Sequence, residues 1–424
     1  MPDDPAAHGG SPRVRDLDIV VYGATGFVGV LVAEHLAARS PAGTRIALAG
    51  RSESRLTAVR AKLGVEWPII VADATDAAAM TALAAAAHVV ITTVGPYAKY
   101  GRVLAHACAA GGTDYVDLTG EVLFARASAD ENHDLAASTG ARIVHSCGFD
   151  SIPSDIGVHV LHEQIRGDGA GELTDTTLVV TSAKGGFSGG TIDSLRHHLD
   201  TVRTDAEARR IAASPYSLSP DPAAEPDLGR QDDIVTLRGT DVSPALRGTL
   251  APFVMAPYNT RIVRRSNALR GWAYGRAFRY REVMSVGANP LSPVLAGGVK
   301  LGLGALVLGL ALPPTRFVLD RLLPKPGAGP DESARRAGHF TVEVFTTTTT
   351  GARYAARFAA TGDPGYAATA VMISESALAL AVDRDGLPAT PGGVLTPATG
   401  IGDALVRRLR GAGMQITVRS LPVA

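Results

Sequence analysis

Cysteine is nearly absent from this sequence: Cys108 and Cys147 are the only two in 424 residues. That excludes a disulfide framework and a thiolate zinc knuckle, and it suits a reducing compartment. Excess charge of either sign is missing as well, since 41 Lys and Arg face 41 Asp and Glu. With aromatics at 5% and no long basic run, the chain lacks the electrostatic footprint that nucleic-acid binding needs. The amino end has no apolar core of secretory type. Met1 to Asp18 is polar and acidic and contains Gly9-Gly10, so the expected location is the cytoplasm. The longest apolar run, Leu301 to Leu312, follows Lys300 and falls short of the roughly 20 residues that cross a bilayer. Lysine is scarce beside abundant arginine and alanine, a mark of GC-rich coding to which no chemistry attaches.

What remains is an ordinary globular composition, 46% apolar, on a chain too long for one hydrophobic core. Two domains are expected. Over the first third, short β-branched runs alternate with helical spacing in the rhythm of a doubly wound parallel sheet. Strands are expected at Leu17 to Tyr22, Arg45 to Ala49, Ile69 to Ala72, His88 to Thr93, Asp114 to Asp117 and Arg142 to His145, with helices between them. Beyond Cys147 the pattern turns to period-2 strands such as Thr176 to Ser182 and Thr341 to Thr347, separated by helices and by polar loops at Ser214 to Asp233 and Pro324 to Asp331. The fold class is therefore α/β: a Rossmann-type sheet over 1–148 and a second α+β domain over 149–389. The segment 390–424, with the helix Asp403 to Arg410 and the strand Gln415 to Val418, is expected to pack back on the first domain.

Strand one runs straight into Gly23-Ala24-Thr25-Gly26-Phe27-Val28-Gly29, and helical spacing follows at once. Strand, glycines and helix in this order form a dinucleotide fingerprint, in which backbone N–H groups approach a pyrophosphate at the positive end of a helix. An NAD site places an acid at the end of strand two to accept from the ribose 2′-hydroxyl. This chain has Gly50-Arg51-Ser52 there instead. A guanidinium and a hydroxyl suit a 2′-phosphate, so NADP(H) is the expected cofactor; the alternative makes Arg51 a solvated residue at a helix start. Asp73 after strand three either contacts the adenine or caps the next helix. The cofactor-binding set is thus Gly23, Thr25, Gly26, Phe27, Gly29, Arg51, Ser52 and Asp73, with Gly95 and Pro96 from the loop after strand four.

Reacting groups belong on the loops after strands four, five and six, beyond whose carboxyl ends the nicotinamide lies. Tyr97 follows strand four, and its hydroxyl either stabilises an enolate oxygen or makes an ordinary packing contact. Asp117 and Glu121 flank the turn after strand five, where an acid positions substrate or simply caps a helix. Cys147 after strand six lies beside the nicotinamide or is a buried, inert thiol. Asp150 and Asp155 read equally as caps around Ser151-Ile152-Pro153. Tyr97, Asp117 and Cys147 are the catalytic candidates. Lys184 before Gly-Gly reads as a carrier-phosphate ligand or a solvated cation. His197-His198 has no ligand partner at metal spacing, so no metal site is expected. None of the ten tyrosines has Lys four positions on, which disfavours ketone reduction of the short-chain dehydrogenase type.

The fingerprint, Ala49-Gly50-Arg51, Thr93-Val94-Gly95-Pro96-Tyr97, Tyr115-Val116-Asp117-Leu118-Thr119-Gly120-Glu121 and Cys147-Gly148-Phe149-Asp150-Ser151-Ile152-Pro153-Ser154-Asp155 together resemble the saccharopine dehydrogenase-like oxidoreductases, and within them the trans-acting enoyl reductase branch of mycobacteria. Lys184-Gly185-Gly186, Ser188-Gly189-Gly190-Thr191 and Pro324-Lys325-Pro326-Gly327 extend the likeness. The resemblance implies an NADPH-dependent reductase of a carbon–carbon double bond in a polyketide-derived lipid, presented by a polyketide synthase lacking that activity. Two rivals stand beside it. One is imine reduction of saccharopine type on an amino-acid adduct. The other is a non-catalytic NADP(H)-binding scaffold at a lipid surface. The run Leu301 to Leu312 would suit a long acyl substrate, a homodimer core or peripheral membrane contact.

Overall fold

The computed structural model describes residues 15–185, 189–311, 313–322 and 329–422. Gly186, Ser188, Leu312, the Pro324 to Gly327 motif and most of the polar amino end lie outside them.

The first sheet holds β1 (Leu17–Tyr22), β2 (Ile46–Gly50), β3 (Ile69–Val71), β4 (Ala87–Thr92), β5 (Asp114–Val116) and β6 (Arg142–Val144). The second holds β7 (Leu173–Lys184), β8 (Leu237–Arg238), β9 (Thr249–Pro252), β10 (Arg279–Ser285), β11 (His339–Thr348) and β12 (Arg353–Thr361). The last two strands divide: β13 (Gly393–Leu395) joins the first sheet beside β6, and β14 (Gln415–Leu421) joins the second beside β12.

All pairings in the first sheet are parallel, in the order β13-β6-β5-β4-β1-β2-β3. This is the expected Rossmann arrangement with a seventh strand from the tail. The order reverses between β1 and β4, opening a crevice at their carboxyl ends. Its central strands read IVV and VVI because both faces are covered. The second sheet runs β14-β12-β11-β7-β10-β9-β8 and is mixed, with β7 and β10 parallel and its other pairs antiparallel.

The main core runs without a break from one face of the first sheet (Ile19, Val89, Val116) to the second (Leu178, Val342, Phe358). The helix Thr369–Val382 explains this continuity. It is apolar and largely buried, and it packs on β1, β4, β5 and the helix Phe27–Arg39. The return to the first domain thus begins well before 390, while the final strand leaves it again. Period and turn signals place a strand but do not say which sheet edge receives it. A second tie is the helix Ile152–Gly167, whose buried Asp155 accepts from Ser266 Oγ at 2.5 Å and from the Ala398 amide at 2.8 Å. Asp155 therefore joins three segments and does not act as a local cap.

The apolar run before Leu312 belongs to a helix that starts earlier, Ser292–Ala311. Lys300 lies inside it and does not bound it. A lone lysine costs a helix little, because its long stem carries the ammonium to water.

Candidate functional site

The turn after β1 is shaped by three glycines with different duties. Gly23 holds φ +88°, and a Cβ there would lie 2.7 Å from Thr93 Oγ1. At Gly29 a Cβ would fall 2.1 Å from the Gly23 carbonyl oxygen, so only hydrogen lets the helix Phe27–Arg39 pack so close to the turn. Gly26 is different: its Cβ would meet only the Gly23 carbonyl, at 3.3 Å, and the residue is exposed. It is the N-cap of that helix, and no side chain among the described residues caps it. Among those residues the positive helix end is left uncovered, as a pyrophosphate requires. Phe27 points its ring elsewhere, edge-on to Tyr366 at 4.9 Å and under the Arg335 guanidinium at 5.2 Å. Its side chain ties the turn to the second domain and leaves only its backbone for a phosphate.

At the end of β2, Arg51 is exposed at the corner beside the turn. Ser52 caps the helix Glu53–Leu63, accepting from the Arg55 amide at 3.5 Å. Arg55 then reaches back, donating from Nη2 to the Thr25 carbonyl at 3.0 Å. A second guanidinium thus stands at this corner, one helical turn on from Arg51, where the sequence motif ended too early to include it. Asp73 accepts from the Thr75 amide at 2.9 Å and its hydroxyl at 2.7 Å. Those bonds, with Arg51 nearby, hold its carboxyl below the usual range. The cap of the next helix, Ala77–Ala86, is Asp76 and not Asp73, which instead shapes the turn leading to it.

The loop after β4 carries a cis Gly95-Pro96 peptide. Glu121 holds this loop: its carboxylate accepts from the Tyr97 and Ala98 amides, each at 2.8 Å, and from Ser194 Oγ at 2.6 Å. It thereby caps the short helix Tyr97–Tyr100, a negative group at a helix start. The Tyr97 hydroxyl donates to the Thr92 carbonyl at 3.3 Å and accepts from the Leu118 amide at 3.2 Å. Burial, first of all, and the nearby Asp117 raise its phenol well above the ordinary range, so it stays protonated.

Asp117 is fully buried and accepts from four groups. These are His145 Nδ1 at 2.7 Å, Tyr115 Oη at 3.0 Å, the Ser146 amide at 2.9 Å and the Thr119 amide at 3.1 Å. His145 continues the network to Ser128 Oγ at 2.9 Å. Ser146 takes a left-handed φ of +66°, uncommon without glycine, and its hydroxyl meets Tyr258 Oη at 2.5 Å. The next residue, Cys147, is also fully buried, with Sγ 3.5 Å from the Val144 carbonyl oxygen. Burial drives its thiol well up and favours the protonated form.

Tyr97, Asp117 and Cys147 are thus brought together, but as the walls and struts of the strand ends rather than as groups open to a substrate. Sequence placed them after the right strands; their hydrogen-bond partners, distant in the chain, decide what is left for chemistry. Asp150 stands apart. It is half-buried on the loop leading from β6, no hydrogen bond reaches its carboxylate among the described residues, and Ser151, not Asp150, is the N-cap of the next helix. Burial raises its carboxyl to about 6. Its place after strand six and its cap-like position were legible in the sequence; its lack of partners among the described residues was not.

Of two cavities, the smaller bears on the site. A small one of about 130 Å³ adjoins the Glu121 loop, lined by Arg102, Phe124, His197 and His198 among others. A larger one of about 680 Å³, lined by His133, Glu163, Arg270 and the 386–392 loop, lies along the outer edge of β13 and away from the glycine turn. Lys184 is exposed at the end of β7.

An open helix end after β1, two guanidiniums after β2 and a crevice between β1 and β4 define a dinucleotide-binding oxidoreductase of Rossmann type. Residues 19–144 match the saccharopine dehydrogenase NADP binding domain. Among solved structures, apo saccharopine dehydrogenase (L-Glu forming) from Saccharomyces cerevisiae superposes with a TM-score of 0.53 at 14% identity, covering 96% of this chain and all of that one, a likeness of fold. Curated relatives come nearer. The trans-acting enoyl reductase of Mycobacterium bovis (strain BCG / Pasteur 1173P2) is 52% identical over 415 residues, 95% of this chain and 98% of that one. The trans-acting enoyl reductase of Mycobacterium ulcerans (strain Agy99) is 50% identical over 422 residues, 97% and 100%. A Mycobacterium tuberculosis (strain ATCC 25618 / H37Rv) protein bearing that name provisionally is 56% identical over 419 residues, 96% and 98%. The chain belongs to the trans-acting enoyl reductases of the saccharopine dehydrogenase-like family.

Proposed function

We propose that this protein is an NADPH-dependent enoyl reductase, reducing a carbon–carbon double bond conjugated to a carbonyl in a polyketide-derived lipid intermediate that a synthase hands over. What carries this reading is near-full-length identity above 50% to proteins of that name, joined to a turn and corner built for NADP(H). The amides at the Gly26 helix start would hold the pyrophosphate, and Arg51, Ser52 and Arg55 the 2′-phosphate. When bound, the reduced nicotinamide supplies a hydride to the β-carbon of the acyl chain.

The chain's own residues have three tasks. Glu121 and Asp117 fix the loops after β4 and β5, so the acyl carbonyl meets a rigid wall. The Tyr97 hydroxyl could reach substrate only by giving up its 3.3 Å bond to Thr92, so its part in this reading is to position the loops. Asp150, protonated below about pH 6 and without a hydrogen bond among the described residues, would deliver the proton that the α-carbon needs once negative charge has developed on the carbonyl oxygen. That proton, with the hydride, would saturate the double bond.

The test is turnover. Purified protein with an α,β-unsaturated acyl thioester should consume NADPH and yield the saturated thioester by mass spectrometry, while a 2-oxo acid plus an amino acid should give nothing. Consumption only with the second pair would replace this reading with imine reduction, and none with either would leave a binding protein.

A further inference from the structure

The helix Ser292–Ala311 is the most apolar exposed element among the described residues. Over Ser292–Leu310 its mean hydropathy is 1.8, yet only 11% of that span is buried. One stripe, with Ser292, Ala296 and Leu310 on it, faces the protein. It packs on β9, where Ser292 Oγ accepts from the Thr249 amide at 3.0 Å, and on the helix Gly189–Thr204. On the opposite side Val294, Leu301 and Leu308 recur every seven residues, exposed by 71, 76 and 61%. Leu295 and Val307 are exposed on the two flanks of that row, and Leu291 just before the helix start. The helix contains no acid, and Lys300 is its one charge.

We infer that this face docks the protein on the apolar layer of a lipid leaflet, lying in its plane. Three observations choose lipid over a second copy. Apart from Lys300 and its glycines, the helix presents apolar side chains on both flanks as well as on the face opposite its own domain, whereas a protein partner would cover one further stripe and leave a polar remainder. The area is small: a helix of about 30 Å with a face about 10 Å wide gives a symmetric pair about 600 Å², half the roughly 1,200 Å² of a stable interface. The flanks also lack the paired charges that set register between helices. Spanning is excluded by the buried stripe, which β9 and the 189–204 helix hold against the folded domain.

Position links the face to the chemistry. Arg316, just beyond the helix, pairs with Asp200 at 2.8 Å, and from the same 189–204 helix Ser194 bonds Glu121, which holds the Tyr97 loop. A protein resting on lipid by this face has its candidate site one helix away from the leaflet. The choice of lipid rests in part on the enoyl reading, since a lipid acyl substrate is what such a placement would serve.

The experiment is flotation of the full chain with phosphatidylcholine vesicles, beside light scattering in their absence. The natural protein should float, its partitioning changing less than about twofold between low and high salt because the contact is apolar. L301D/L308D should lower partitioning at least tenfold and leave NADPH affinity as it was; should that variant not fold, L301S/L308S should lower it at least threefold. No flotation of the natural protein, flotation unchanged in a folded variant, or a dimer that L301D/L308D dissociates without vesicle binding would each overturn the docking face. Turnover of a soluble thioester without flotation sinks this inference alone, and flotation without turnover sinks the enoyl reading alone.

Discussion

On the proposed reading Arg51 and Arg55 would set the cofactor preference between them, one exposed at the end of β2 and one bonded back to Thr25. A 2′-phosphate between two guanidiniums gains charge-assisted bonds that a 2′-hydroxyl cannot match. Arg51→Ala should narrow the NADPH-over-NADH affinity ratio by about tenfold, roughly 1.4 kcal/mol; equal ratios in variant and natural protein would take Arg51 out of the phosphate site. If Asp150 is the donor, as proposed, it can donate only while protonated, so turnover should fall as pH rises through about 6. Asp150→Asn should cut kcat by about a hundredfold and remove that limb of the profile, with NADPH binding intact. Tyr97→Phe is the contrast. Only ordinary hydrogen bonds of about 1 kcal/mol each are lost, so activity should hold within about tenfold. A hundredfold loss there, with Asp150→Asn near normal, would return the donor role to Tyr97.

Among the elements, the turn between β1 and the helix Phe27–Arg39 separates binding from packing. Gly26→Val adds bulk on the open side, so the protein should fold with an unchanged melting temperature and lose measurable NADPH binding. Gly29→Ala does the reverse, setting a methyl 2.1 Å from the Gly23 carbonyl oxygen. It should destabilise the domain by about 2 kcal/mol in a urea titration. Both glycines are equal members of one motif in the sequence; only the packed helix distinguishes the one facing ligand from the one facing backbone. Helix 292–311 repeats the lesson. Its apolar run was legible, but its start at Ser292 and its exposure were not, because periodicity cannot report what lies opposite a face.

The whole molecule depends on buried polar groups that join segments far apart in the chain. Glu282 on β10 accepts from Asn259 Nδ2 at 2.9 Å and from Tyr280 Oη at 2.8 Å. Burial raises its carboxyl from 4.5 to about 7. The folded state therefore keeps a proton that the unfolded chain releases above 4.5. Stability from this group is complete below about pH 4.5 and is lost as pH climbs through about 7. Glu282→Gln should flatten that part of the curve when urea midpoints are compared across the window; an unchanged slope would mean that other groups set it.

By itself the sequence determined the Rossmann strands, the glycine turn, the missing acid after β2 and the family, because each is written in neighbouring residues whose spacing dictates local backbone geometry. Tertiary structure decided the rest. It sent β13 to one sheet and β14 to the other, and it buried the 369–382 helix against β1, β4 and β5. It also spent Asp117 on His145, Tyr115, Ser146 and Thr119 while leaving the Asp150 carboxylate unbonded among the described residues. Whether an acid can react depends on the donors around it, and those donors come from parts of the chain that only the fold brings within about 3 Å.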